Sequence, residues 1–581
     1  MVGPHLVMVD QNSIRQKLTT RLEAALTTLK QQGLFDGEVP EVGLGAPKQA
    51  SHGDYATPVA LSLAKTAKKK PRDIAVALQQ ALGNADGLLE KSEIAGPGFL
   101  NLFVARQTWL DALGDILTAG ESFIRSTHGH GIRVLIEFVS ANPTGPLHIA
   151  HGRGAATGDV VANLLDAAGY QVEREYYIND LGNQIDIMAR SIYLRYGELF
   201  GRAFTPPEDF YPGEYITDIA RKLKADAGDR YLDKPEAEWL AALREQGIAS
   251  MLERIRADLD AFGVRFDHWV SERELVSKIG LETVVKRLED AGHIFAEGGK
   301  KWFRSTTFGD DKDRVVMRED GRPTYFATDI AYHDEKMQRG FKRLINVWGA
   351  DHGGYVARVK AGMQALGHDP NALHVIFIQM VSLSRGGESV RMGKRLGTAV
   401  WLDEVVREAG RDATRYFFVM RRSDAQLEFD IDLATKKSLD NPVYYAQMGH
   451  ARMCSVQRRA VEQGIALPTF APGALSALVL PEELNMVKTL VRAPEVVAEA
   501  ADAHEPHLIV HYIQDLIGQF HSYYTQYKNS EKVISEDPQK TRARLLLCEA
   551  LKTALAALLK ILGVSAPERM FLDEPTDEAE G

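Results

Sequence analysis

The spacing of apolar and polar positions changes twice along the chain and divides it into three segments. The first segment opens with apolar residues spaced for one face of a helix, at Ile14, Leu18, Leu22, Leu26 and Leu29. Further helices are predicted around 56–70 and from Pro71, and residues 98–104 are predicted to be extended. This pattern indicates a small α+β domain over residues 1–120.

The second segment begins with a β-branched, apolar run of strand length at 132–139. A helix is predicted over 151–168 and another strand over 170–178, so the order is strand, helix, strand. Such a βαβ unit predicts a parallel sheet, because parallel neighbours need a crossover. Further strands are predicted at 343–348 and 373–378, with a helix over 355–366 between them. We therefore expect a Rossmann-like α/β domain over residues 121–439, carrying a helical insertion at about 195–320.

The third segment starts near Asp440 and is almost wholly helical in pattern. One helix face is predicted from Ile509, Ile513, Leu516, Ile517, Phe520, Tyr524 and Tyr527, and another from residues 545–562. We expect an all-α helical bundle over residues 440–581. Its tyrosines have two interpretations, because an aromatic stripe either fills a core or offers a platform on which nucleic-acid bases stack.

Composition narrows the class of protein further. Hydrophobic residues make up 45% of the chain and charged residues 25%, as in ordinary globular proteins. The formal net charge of -10 argues against nucleic-acid binding through overall charge, although local patches stay possible. One such patch is the run Lys65, Lys68, Lys69 and Lys70, which is either a solvated helix end or a phosphate contact.

The cysteines and the termini bear on the compartment. Two cysteines, Cys454 and Cys548, exclude a disulfide framework and a four-cysteine zinc site, and they fit a reducing compartment. The first residues lack the pattern of a signal peptide. The apolar stretch 545–564 is interrupted by charges, which favours a buried helix over a membrane span. We expect a cytoplasmic protein without membrane contact.

Glycines after the first strand superficially resemble a dinucleotide fingerprint, at Gly152, Gly154 and Gly158. Twelve residues separate Val139 from Gly152, whereas that fingerprint is a tight turn directly after the strand. This spacing argues against a nicotinamide or flavin site.

Two histidines in the same loop say more about a possible ligand than these glycines do. His148 and His151 lie at the predicted opening of a helix, where backbone N–H groups and the helix dipole favour anions. Imidazoles placed there can donate hydrogen bonds to phosphate oxygens and to charge that develops on a reacting phosphate. Packing or helix capping is the alternative. No third ligand is nearby, so no metal site is predicted.

A second cluster lies far downstream, at Arg391, Met392, Gly393, Lys394 and Arg395. Small and basic residues alternate there, as in a mobile loop that grasps phosphate. Taken alone, the cluster is better explained as a solvated loop.

Together the two clusters resemble the paired signatures of class I aminoacyl-tRNA synthetases. His148-Ile149-Ala150-His151 is similar to the "HIGH" motif, with Ala150 in place of its glycine. Arg391-Met392-Gly393-Lys394-Arg395 is similar to the "KMSKS" motif, with Lys394 as the matched lysine. The resemblance narrows to the arginyl-tRNA synthetases and covers nearly the whole chain. The segments that carry it are 53–57, 96–99, 137–148, 176–184, 325–332, 349–355, 379–383 and 449–455.

The resemblance implies an activity. Members of this family activate arginine with ATP and Mg²⁺, release pyrophosphate, and transfer the arginyl group to the terminal adenosine of tRNA(Arg). They usually need bound tRNA for the first step. The resemblance therefore implies arginine, ATP and tRNA(Arg) as partners, no tightly bound cofactor and a monomeric enzyme. It also implies that the first domain touches the outer corner of the tRNA and that the bundle binds the anticodon.

The family pattern also assigns residues. It implies catalytic roles for His148, His151 and Lys394, and it places ATP on these three together with Gly154, Gly349, His352 and Met392. It places arginine on Glu137, Ser140, Asn142, Tyr325, Asp329 and Asp351. Carboxylates suit a guanidinium, which offers a planar fork of donors. Asp329 is alternatively a helix N-terminal carboxylate, and Asp351 alternatively orients a loop near ATP.

Two other classes of function stay open at this point. One is an oxidoreductase, which the length of the loop disfavours. The other is a non-catalytic tRNA-binding protein derived from the same fold, which the departures at Ala150 and around Lys394 would permit. Arginine-dependent exchange between ATP and pyrophosphate separates these alternatives from the synthetase.

Overall fold

The computed structural model describes residues 13–47, 49–390 and 400–571. Its first part combines helices with a three-stranded antiparallel sheet of order β1-β3-β2. Ser13 caps the first helix by accepting a hydrogen bond from the backbone N–H of Gln16 at 3.1 Å. The elements are α1 Ile14–Gln31, β1 Tyr55–Thr57, α2 Val59–Ala67, α3 Pro71–Leu82, β2 Leu89–Ala95, β3 Phe99–Val104 and α4 Arg106–Ala119. The second helix begins later than expected, because residues 55–57 pair with β3.

The second part is built on a five-stranded parallel sheet of order β11-β10-β4-β5-β6. Its elements are β4 Arg133–Glu137, α5 Ile149–Ala167, β5 Gln171–Ile178, β6 His268–Ser271, α11 Tyr325–Gln338, β10 Arg343–Gly349, α12 Val356–Ala365 and β11 Leu373–Ile378. Successive side chains of β4 point to opposite faces, so Val134 and Ile136 pack in one core and Leu135 in another. Apolar groups cover both faces, which explains the continuous apolar run. The predicted α/β fold is confirmed.

The polar stretch at 195–320 holds more than helices. It contains helices that pack into a core of their own, a small antiparallel sheet of order β7-β8-β9, and β6, the edge strand of the central sheet. The elements are α6 Asn183–Glu198, α7 Glu214–Ala227, α8 Glu236–Ala261, α9 Glu272–Ile279, α10 Leu281–Asp290, β7 Ile294–Glu297, β8 Lys300–Phe303 and β9 Arg314–Met317. The strand β6 has four residues and all are only partly buried, so no apolar run marks it in the sequence.

After the central sheet, a second small sheet of order β13-β12-β14 leads into the C-terminal bundle. The elements are β12 Val381–Arg385, β13 Glu388–Val390, α13 Leu402–Ala409, α14 Arg411–Val419, β14 Leu427–Asp430, α15 Ile431–Thr435, α16 Pro442–Glu462, α17 Pro481–Val491, α18 Ala493–Ala503, α19 His507–Gln526 and α20 Pro538–Ile561. The predicted helical bundle is confirmed. Tyr523 is buried, and Tyr524 and Tyr527 pack partly buried against the core. Within the described part of the chain, no helix has the length and apolar character that spanning a membrane requires.

A buried arginine ties the bundle to the sheet domain. Arg415 has no exposed surface and donates to the Asp159 carboxylate of α5 at 2.5 Å. It also donates to the backbone oxygen of Leu562, just after α20, at 3.0 Å. A Cβ added at Gly563 would lie 2.2 Å from the guanidinium, so only glycine fits beside it. The end of the last helix is therefore packed directly against the helix that carries the two histidines.

Candidate active site

A strained turn follows the first strand of the central sheet. Val139 and Ser140 have φ values of 67° and 41°, a left-handed conformation that β-branched residues rarely adopt. The turn lets the Ser140 hydroxyl donate to Glu137 at 3.1 Å and accept the backbone N–H of Tyr177 at 3.1 Å. Backbone strain of this kind concentrates at functional sites. Here it fixes Glu137 and Ser140 at the carboxyl end of β4, where open α/β sheets bind ligands.

Asp329 lies one turn into α11, and its surroundings disfavour its charge. Burial raises the pKa of this carboxyl from its ordinary value of 3.8 to about 7, and the negative charges of Glu137 and Glu272 act in the same direction. The Tyr355 hydroxyl donates a hydrogen bond to the carboxylate and opposes this shift. A buried carboxyl whose charge is disfavoured by burial and by neighbouring carboxylates is a site prepared for a cation.

Tyr177 shows that these carboxylates belong to one cluster. Burial raises the pKa of its phenol, and Glu272, Asp329 and Glu137 all raise it further through their negative charge. Glu272 itself is buried, and burial together with Asp180 raises its pKa. Analysis of the sequence missed Glu272, although it directly follows β6 at the same edge of the sheet as Glu137. If residues 268–271 had been recognised as a strand of the central sheet, Glu272 would have been placed at its carboxyl end and so near Glu137.

The other predicted arginine-binding residues are more exposed. Asn142 donates to the side chain of Gln184 at 2.7 Å. Tyr325 is 59% exposed, and its hydroxyl lies 3.0 Å from an ideal Cβ position on Gly182. Asp351 lies on the turn after β10 with 83% of its side chain exposed, 3.6 Å from His352. The structure thus brings Glu137, Ser140 and Asp329 together and places Asp351 on an exposed turn.

His148 and His151 lie together at the start of α5. The helix begins at Ile149, earlier than expected, so His148 is its cap and His151 lies in its first turn. Their rings stack with centroids 3.6 Å apart. The backbone N–H of His148 donates to His151 Nδ1 at 3.3 Å, so a neutral His151 carries its proton on Nε2 and can donate from there. Both imidazoles lie where the helix dipole favours an anion.

Residues 400–402, which are distant in sequence, form backbone hydrogen bonds beside these histidines. The backbone N–H of Ile149 donates to Val400 at 3.2 Å, and that of Leu402 donates to Leu147 at 2.8 Å. These contacts place the residues that follow the second signature beside the first signature. The predicted ligands Met392 and Lys394 lie at 391–399, outside the described residues.

The glycines of α5 differ in what surrounds them. An added Cβ would lie 2.5 Å from Leu402 at Gly152 and 2.3 Å from Phe138 at Gly158, so these two positions serve close packing. At Gly154 the nearest atom is Ile378 Cγ1 at 4.0 Å, which leaves room beside the helix. Gly349 and His352, also predicted ATP contacts, lie on the exposed turn at the carboxyl end of β10.

Comparison with known proteins identifies the family of each part of the chain. Three family models match the chain in succession: an arginyl tRNA synthetase N-terminal domain at 12–104, the catalytic domain of class I (R) tRNA synthetases at 112–454, and a DALR anticodon binding domain at 446–570. A parallel sheet with stacked histidines at the first crossover helix, together with the catalytic-domain match, defines a class I aminoacyl-tRNA synthetase.

Individual relatives narrow the class. The arginine–tRNA ligase of Syntrophotalea carbinolica is 49% identical over 94% of this chain and 98% of its own, and that of Bacillus subtilis is 47% identical over 92% and 95%. A crystal structure titled as a putative arginyl-tRNA synthetase from Campylobacter jejuni is 34% identical, with a TM-score of 0.74, covering 80% of this chain and 100% of that one. The chain belongs to the arginyl-tRNA synthetase family.

Proposed function

We propose that this protein ligates L-arginine to tRNA(Arg) at the expense of ATP, through an arginyl-adenylate, and so serves translation. The observation that carries the proposal is the cluster of Glu137, Asp329 and Glu272 at the same sheet edge as the anion-favouring start of α5. Arginine has a cationic side chain, which suits the acidic cluster. Its carboxylate must meet the phosphate of ATP, which suits the start of α5, so the two environments are needed side by side.

The chemistry requires positioning more than a protein nucleophile. An oxygen of the arginine carboxylate attacks the α-phosphorus of ATP, and the bond to the leaving pyrophosphate breaks. His148 and His151 donate hydrogen bonds to the charge that develops on phosphate, with Lys394 as a third cationic group. Gly154, Gly349, His352 and Met392 complete the proposed ATP contacts. Mg²⁺ enters with ATP as part of the substrate complex, and no tightly bound cofactor takes part.

The arginine pocket is proposed to centre on two carboxylates. Glu137 and Asp329 accept hydrogen bonds from the positively charged groups of arginine, which releases Asp329 from its unfavourable surroundings. Ser140 holds Glu137 in place, and Asn142 and Tyr325 lie at the exposed side of the pocket. Asp351 is assigned to arginine in the family pattern, and its exposed turn also suits the alternative role of orienting the loop near ATP.

We propose the same division into domains as the sequence analysis. Residues 1–120 contact the outer corner of the tRNA, residues 121–439 carry catalysis with the insertion at about 195–320, and residues 440–581 bind the anticodon. The matches to an arginyl-tRNA synthetase N-terminal domain and to an anticodon binding domain support this division. A monomeric enzyme and a cytoplasmic location stay predictions.

The test is exchange of radiolabelled pyrophosphate into ATP, followed by charging of tRNA. We expect exchange that depends on arginine, is stimulated by tRNA(Arg), and is not supported by lysine, whose point charge cannot occupy both arms of a guanidinium fork. A folded protein that binds tRNA(Arg) without exchange would replace this proposal with a non-catalytic tRNA-binding function.

A further inference from the structure

A lysine without exposed surface lies beneath the proposed arginine pocket. Lys336 is on α11, two turns beyond Asp329, and its side chain is completely buried. Its ammonium donates to Glu137 Oε2 and lies 4.0 Å from the centroid of the Tyr332 ring. Lysine is almost never fully buried without a partner. Its partner here is a carboxylate to which the proposed function gives a role in binding substrate.

The neighbouring charges show that Glu137 is the main partner of this lysine. Glu175 lies 3.9 Å from Lys336 Nζ, but its two oxygens already accept hydrogen bonds from Tyr332 at 2.5 Å and Arg339 at 2.6 Å. The negative charge of Glu175 is therefore compensated by the positive charge of Arg339. The second oxygen of Glu137 is held by Ser140, so both of its oxygens are fixed from within the protein.

The charge count of the pocket follows from this pairing. Glu137, Asp329 and Glu272 are three carboxylates, and Lys336 adds one ammonium. When all are ionised, two negative charges are uncompensated. Free arginine carries two cationic groups, its guanidinium and its α-ammonium, so the two counts match.

We propose that Lys336 is a positioning and specificity residue of the arginine pocket, which holds Glu137 in place and leaves the pocket with two uncompensated negative charges for the two cationic groups of arginine. The inference rests on the proposed function. Lys336 does not touch substrate, and it acts through Glu137 and through the shared field of the acidic cluster. Without it, the three carboxylates would repel each other, and one would take up a proton that arginine must then displace.

Asp329 is the group that would report this proton. The groups that face it are Tyr355 ahead of α12, Glu137 on β4, Glu272 on α9, Tyr177 on β5 and Lys336 on its own helix. The positive charge of Lys336 lowers the pKa of Asp329, whereas the two glutamates raise it. Removing the lysine therefore moves the ionisation of Asp329 to higher pH, and arginine binding should follow.

The experiment measures kcat/KM for arginine between pH 6 and 9 in three variants of the full-length protein. Lys336→Met removes both the charge and the donor. Lys336→Gln keeps a donor for Glu137 and removes only the charge, so it separates the two roles if the methionine variant folds poorly. Arg339→Met is the matched control, because it removes the partly buried cation at the C-terminal end of the same helix, whose partner is Glu175.

We expect the pH midpoint for arginine to rise in both Lys336 variants by up to about one unit, the low end of what a nearby opposite charge does, because several other groups also set the pKa of Asp329. At pH 7 the KM for arginine should rise by up to about fivefold, and the KM for ATP should stay close to wild type. The control should lose thermal stability and keep the wild-type midpoint.

The outcomes distinguish the inference from the proposed function. If both Lys336 variants share the midpoint and arginine KM of Arg339→Met, the lysine is only structural and the inference is wrong. If the wild-type protein itself shows no arginine-dependent exchange, the proposed function fails first.

Discussion

The ionisation of Asp329 should control arginine use in the neutral range. Its pKa of about 7 means that the carboxylate is mostly protonated at pH 6 and mostly charged at pH 8. If only the charged form accepts arginine, kcat/KM for arginine should rise roughly tenfold between pH 6 and pH 8, because kcat/KM reports ionisation in the free enzyme. The assay is steady-state pyrophosphate exchange at saturating ATP and tRNA.

The variant Asp329→Asn keeps the volume of the side chain and removes the charge. We expect its pH profile for arginine to become flat in this range. Its kcat/KM should fall at least about 100-fold at pH 8, because leaving a buried cation unpaired costs about 3 kcal/mol or more. The matched control is Glu335→Gln, which makes the same exchange on the same helix at a carboxylate paired with Arg339.

The same substitution should stabilise the folded protein at high pH. The folded-state pKa of Asp329 lies above its ordinary value of 3.8, so the folded state binds the proton more tightly. The carboxylate therefore destabilises the fold increasingly as pH rises from about 4 to 7, by at most about 4 kcal/mol. Asparagine carries no charge and so does not destabilise the fold in this way. The Asp329→Asn variant should therefore unfold at a higher temperature than wild type at pH 8, and this difference in unfolding temperature should vanish near pH 4.

Three results would refute this reasoning. The first is a wild-type profile for arginine that is flat between pH 6 and 8. The second is an Asp329→Asn variant with wild-type arginine kinetics, which would remove Asp329 from the pocket. The third is a variant that is less stable than wild type at pH 8, which would mean that the charge of Asp329 is compensated within the fold.

Two further predictions concern the start of α5 and its contact with the bundle. His148→Ala and His151→Ala should each lower arginine-dependent exchange about 10²–10³-fold with tRNA affinity nearly unchanged, as loss of one donor to a charged transition state does; near-normal exchange in either variant would exclude that histidine. Arg415→Met should lower the free energy of unfolding in urea by about 3–5 kcal/mol, because Asp159 is left buried without its main cation. Arg385→Met, which breaks an exposed pair with Glu408, should cost about 1 kcal/mol at most, and an equal loss in both variants would contradict this account.

Local patterns predicted the elements whose side chains alternate or repeat strongly. The apolar run at 132–139 marked β4, since both faces of that strand are covered. The strand β6 was not predicted because its four residues are only partly buried and so form no apolar run. Its Trp269 packs on the ring of Tyr176, a contact that the sequence alone does not reveal. The early start of α5 also escaped prediction; the helix begins at Ile149 because the side chain of His151 accepts the backbone N–H of the cap residue His148.

The residues of the candidate site also fall into two groups, those that the sequence predicted and those that only the structure reveals. Glu137, Ser140 and Asp329 were found through family resemblance, and local chemistry alone left Asp329 open as a helix N-terminal carboxylate. Lys336 lies in a run of charged and polar residues that is typical of a solvated helix face, and only the packing of α11 over the sheet buries it. Its partner Glu137 lies 199 residues earlier in the chain, so no local pattern connects the two.

The glycines of α5 give a final prediction that separates packing from substrate contact within one helix. At Gly154 an added Cβ meets only Ile378 at 4.0 Å, whereas at Gly158 it would lie 2.3 Å from the buried ring of Phe138. Gly154→Ala should therefore stabilise the helix by about 0.5–1 kcal/mol while raising the KM for ATP, because the new methyl group occupies the space proposed for the nucleotide. Gly158→Ala should lower the free energy of unfolding by about 1–3 kcal/mol through overpacking. Denaturant unfolding and ATP kinetics of both variants provide the measurement, and a stabilised Gly154→Ala enzyme with wild-type ATP kinetics would remove Gly154 from the ATP site.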